Sequence, residues 1–89
     1  MTRDQEVIRG NDAKAILENE AYRAALAMAR QQFVDDWLAA PTADTREAAH
    51  YAIKGLETFV RKLETILGRG HLAKRAIEHE AEAAARPGA

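Results

Sequence analysis

Asp35 and Asp36 stand side by side, immediately before the chain's single tryptophan, Trp37. Paired carboxylates suit general acid/base chemistry, but only when both are aimed at one bond. Neighbours on a helix point about 100° apart, so these two diverge. In the last turn of a helix they also sit unfavourably against its dipole. A solvated acidic patch, or a contact with Arg30 or Arg46, is the expected role. His50, His71 and His79 are the next candidates. His71 and His79 are eight residues apart, whereas metal-ligating histidines on a helix usually sit three or four apart. The segment "HEAEA" lacks the second histidine of a zinc-protease helix. No phosphate-cradling glycine loop, serine–histidine arrangement or internal repeat is evident, and cysteine is absent. The expectation is therefore a protein with no catalytic residues, metal, cofactor or small-molecule substrate, and not an enzyme.

One cluster could touch phosphates. Arg61, Lys62, Arg69, Lys74 and Arg75 concentrate around Gly68 and Gly70, and "TILGRGHLAKRAIEH" has the look of a glycine turn before a basic helix. Glu57, Glu64, Glu78 and Glu80 interleave with these cations, and no aromatic is placed to stack on a base. A salt-bridged, solvated face is the default, with nucleic-acid contact as the alternative. The formal net charge of −1 gives no general drive toward nucleic acid or an acidic membrane surface. The start "MTRDQEVIRG" lacks a signal-peptide core, and no apolar run approaches a membrane span. An intracellular location, or one inside a particle assembled in the cell, is expected.

The elements that must position these residues read as helices throughout. The chain of 89 residues fits one domain, expected over residues 11–85, with 1–10 as a flexible arm and 86–89 as a frayed tail. Asn11 or Asp12 can cap a short helix over 12–18. Asn19 either lies within a continuous helix or caps a new one at Glu20; a break there is the reading taken. Over 20–39, Tyr22, Leu26, Ala29, Phe33 and Trp37 form one stripe, and Pro41 ends the element. Asp44 and Glu47 have capping-box spacing for a helix over 45–67. In it, Ala49, Leu56 and Leu63 repeat every seven residues, as do Ala52, Phe59, Ile66 and Ile53, Val60, Leu67. Gly68 and Gly70 suit a C-cap, with a last helix over 71–85. The predicted fold is all-α: an antiparallel hairpin of two long helices with short N- and C-terminal helices. Its core and interface are expected from Tyr22, Leu26, Phe33, Trp37, Ile53, Leu56, Phe59, Val60, Leu63, Ile66 and Leu67. So broad a stripe in a hairpin predicts a further partner, either a second copy or a larger protein.

The order "AKAILENEAY", a helix ending in Trp37, the connector "PTADTRE" and a heptad-rich helix ending "ILGRGHLA" resembles a group of small all-helical proteins. These are encoded among the DNA-packaging and head-structure genes of tailed bacteriophages and prophages. The resemblance covers most of residues 13–77, and its best points are Trp37, Thr45, Arg46, Glu47, Gly70, Leu72 and Ala73. Relatives are expected to carry proline where Glu20 stands, which suits Asn19 as a cap. The resemblance implies a viral setting: an oligomeric structural or packaging accessory. Alternatives are a packaging-recognition component or phage regulator using the basic 61–75 segment, and a host-directed inhibitor.

Overall fold

A computed structural model describes residues 1–86. Its described residues are helical apart from short connections, in three elements: α1 (Arg3–Glu18), α2 (Glu20–Ala39) and α3 (Ala43–Ala85). The all-α class is as expected. The bounds of α2 also match the sequence reading, and local chemistry explains both ends. Asn19 keeps extended backbone angles (φ −69°, ψ 125°), and its side chain accepts from the Tyr22 amide at 2.9 Å. Ala40, which precedes Pro41, is likewise extended (φ −61°, ψ 122°), as a residue before proline must be.

Three expectations fail, each for a local reason. Residues 1–10 are not a loose arm: α1 begins at Arg3, and Asn11 and Asp12 lie inside it rather than capping it. The start signal is a capping box at Thr2 and Gln5. The Gln5 amide donates to Thr2 Oγ1 at 3.2 Å, and the Thr2 amide donates to Gln5 Oε1 at 2.9 Å. Asp44 and Glu47 do not start α3. Thr42 and Thr45 do, each hydroxyl accepting the other's amide at 3.2 Å. Lastly, Gly68 and Gly70 end nothing, because α3 runs 43 residues through them. The separate helices expected over 45–67 and 71–85 are one. The heptad explains why: the column Ala49, Leu56, Leu63 continues in phase to Gly70 and Ile77, and none of these five is exposed. Of the expected tail, Arg86 is a bend whose amide reaches Ala83 O at 3.4 Å, and 87–89 lie outside the described residues.

The chain divides into two compact units. One comprises residues 1–15 and 63–89; the other is Ile16–Lys62. The first closes where α1 meets the second half of α3, at Gly10 and Gly70. A Cβ built on either glycine would lie 2.8 Å from the other's Cα. Gly10 faces the Ile66 carbonyl oxygen and Gly70 faces that of Glu6, so each glycine meets the residue four before the other. Such backbone contact is possible only without side chains, and it places Cα hydrogens toward carbonyl oxygens. Ala13 and Ala73, three residues on, are buried beside them. Arg3 pairs with Glu80, so α1 and this half of α3 run in opposite directions.

The expectation of no repeat also needs correcting at this point. Arg9-Gly10-x-x-Ala13-Lys14 recurs as Arg69-Gly70-x-x-Ala73-Lys74. The two copies are the two sides of the crossing, related by a local twofold. The match is only six positions wide, too short to register as a repeated domain.

The second unit packs differently. Tyr22, Leu26, Ala29 and Phe33 of α2, and Ala52, Ile53, Leu56 and Val60 of α3, are half-buried, and Ala49 is buried.

Candidate functional site

The residues singled out for chemistry do not converge. Asp35 accepts from the Gln31 side-chain amide and Asp36 from that of Gln32, both at 2.8 Å and each four residues back. These are two adjacent ladders on the surface of α2, each carboxylate held by its own glutamine. The expected contacts with Arg30 or Arg46 are not formed. His50 stacks loosely against Tyr51 (ring centroids 6.0 Å apart), and no three potential metal ligands come together among the described residues. Two surface hollows flank α1. One of about 420 Å³ is lined by Met1, Gln5, Ile8 and Arg9; a cleft of about 110 Å³ is lined by Met1, Glu6, Arg9, Ile66 and Arg69. The first borders only the start of α1, and the second is small for an organic ligand.

The basic cluster changes character once α3 is continuous. There is no turn at 68–70, so the helix-turn-helix arrangement is lost. At about 100° per residue, Lys62 and Arg69 share one side of α3, Arg61 and Arg75 another, and Lys74 a third. No helix of the described residues is long and apolar enough to cross a membrane.

What the fold does present is apolar surface. The described chain has no fully buried large side chain, and its buried hydrophobic residues are Ala13, Ala49 and Ala73. Of the eleven residues expected to form the core and interface, Tyr22, Leu26, Phe33, Ile53, Leu56, Val60, Leu63 and Leu67 are half-buried. Trp37 is 41% exposed, Phe59 57%, and Ile66 lies at the edge of exposure. More than half of Phe59 is therefore open to solvent. It lies one column off the Ala49–Leu56–Leu63 line, on the flank of α3. Leu38 and Met28 of α2 are more open still, and Tyr51 of α3 is 63% exposed. Sequence reading missed Tyr51, Met28 and Leu38 as surface features, since none falls on a buried stripe; being large, apolar and off-stripe was the available signal.

A comparison with known family models, curated proteins and solved structures returns no match.

Proposed function

We propose that this chain is a non-enzymatic helical interaction module whose exposed apolar residues are covered by a protein partner. In this reading α2 and the first half of α3 form an antiparallel hairpin. Its large side chains half-bury one another, and its outer flank is left for association. The observation that supports it is the burial pattern: the second unit buries Ala49 while Met28, Leu38, Tyr51 and Phe59 stay open. Burying a large apolar side chain stabilises by about 1.5–3 kcal/mol, so four left in water are a substantial unused driving force.

The resemblance to small helical proteins of phage packaging and head-assembly gene clusters gives the setting of this proposal: an oligomeric structural or packaging accessory, made in the bacterial cytoplasm and carried into particles. The scattered cations of α3 favour the protein-partner reading over nucleic-acid contact. The test is light scattering coupled to size-exclusion chromatography, with and without duplex DNA. A mass above the monomer without DNA is expected. A monomer at every concentration that shifts only when DNA is added would replace this reading with the nucleic-acid one.

A further inference from the structure

Resting on the interaction reading above, we propose that a second copy of this chain docks on the Tyr51–Gly55–Phe59 face of α3, antiparallel and centred on Gly55. Three observations in the Ile16–Lys62 unit converge on it. First, a Cβ built on Gly55 would meet nothing within 4 Å, so the backbone is bare to solvent at this point. Second, aromatic residues stand four before and four after it, and both are more than half exposed. Third, Glu47 lies eight residues before Gly55 and Lys62 seven after, both exposed, and neither forms an ion pair among the described residues.

A twofold axis through Gly55 maps each residue before the glycine onto the residue equally far beyond it on the partner. Tyr51 then lies over the partner's Phe59 and Phe59 over the partner's Tyr51, giving two aromatic pairs on either side of a close glycine contact. Glu47 comes level with the partner's Lys62 to within one residue, about 1.5 Å along the axis, so two opposite-charge pairs close the ends. The pattern is self-complementary in shape and in sign of charge. A parallel pairing would instead put Glu47 against Glu47 and Lys62 against Lys62. The Gly10–Gly70 crossing is this chain's own instance of two antiparallel helices meeting at glycine across a local twofold.

A contact of about three turns buries less than the roughly 1,200 Å² of a standard stable interface, so the dimer is expected to be weak and concentration-dependent.

Sedimentation equilibrium on the full chain tests the proposal. The expected result is a mass rising from monomer toward dimer with concentration. Gly55→Gln should stay monomeric while unfolding at a higher temperature than the parent, because a helix former replaces glycine where there is room. Lys62→Glu should weaken the dimer by roughly tenfold, and adding Glu47→Lys should recover it. A parent chain that is monomeric throughout overturns both this proposal and the oligomeric reading behind it. A dimer indifferent to Gly55→Gln overturns this face alone and leaves self-association standing. Failure of the charge-reversed pair to recover overturns the antiparallel register.

Discussion

The two units of this chain close by opposite means. Where α1 meets the second half of α3, the contact is backbone on backbone, with Gly10 against Gly70 and alanines buried beside them. In Ile16–Lys62, α2 and the first half of α3 offer large side chains, and those side chains are only half-buried. The first contact is close but intolerant, since an atom added at either glycine must push two helices apart, and it still leaves Ile8 and Leu72 exposed. The second is tolerant but incomplete, with aromatic and aliphatic residues left outside. A chain of 89 residues has too little volume to do both jobs everywhere. The consequence is a difference in means: one unit closes on a glycine contact and the other on half-buried side chains, and both leave large apolar residues exposed.

The sharpest way to break this comparison is to place the same kind of residue at different glycines of one helix. Gly70→Val puts a branched side chain where even a Cβ would be 2.8 Å from Gly10 Cα. Destabilisation of about 3 kcal/mol is expected by urea unfolding, with loss of hydrogen-exchange protection in α1. Gly68→Ala, where nothing lies within 4 Å, should stabilise by about 0.8 kcal/mol through helix propensity. If Gly70→Ala also stabilised, the crossing would be looser than described. In the other unit, Leu56→Ala removes a half-buried side chain and should cost about 2 kcal/mol, the low end for leucine, with no signature confined to α1.

Smaller effects sharpen the picture. Asn19→Ala deletes the cap on the Tyr22 amide; about 1 kcal/mol of destabilisation is expected in thermal unfolding. Tyr22→Phe should be neutral or slightly stabilising, because the Tyr22 hydroxyl is buried without a hydrogen-bond partner among the described residues. A loss above about 1 kcal/mol there would show that the hydroxyl is satisfied in solution.

How much of this was legible in the sequence follows the range of the interactions. Asn19 and Pro41 act through their own backbone and immediate neighbours, so the ends of α2 could be read directly. The Thr2–Gln5 box was equally local and legible, but the polar composition of residues 1–10 masked it. Gly70 was ambiguous in principle. A glycine after an apolar heptad run suits either a C-cap or a helix crossing, and only a distant segment, here Gly10, decides between them. Two cues pointed to the crossing: the unbroken heptad phase from Ala49 to Ile77, and the Arg-Gly-x-x-Ala-Lys motif shared by both helices. Phe59 reads as core or interface because its column is apolar, and a heptad column shows periodicity, not which columns a partner helix covers.

The central claim is that the exposed Tyr51–Gly55–Phe59 face of the Ile16–Lys62 unit takes a partner, whereas the Gly10–Gly70 crossing is already closed within the chain. Hydrogen exchange on the unmodified chain at low and high protein concentration tests it most directly. Slower exchange at high concentration confined to α3 residues 48–62, with α1 and residues 66–80 unchanged, is the predicted result. Identical exchange at both concentrations, or slowing centred on the Gly10–Gly70 crossing, would contradict it.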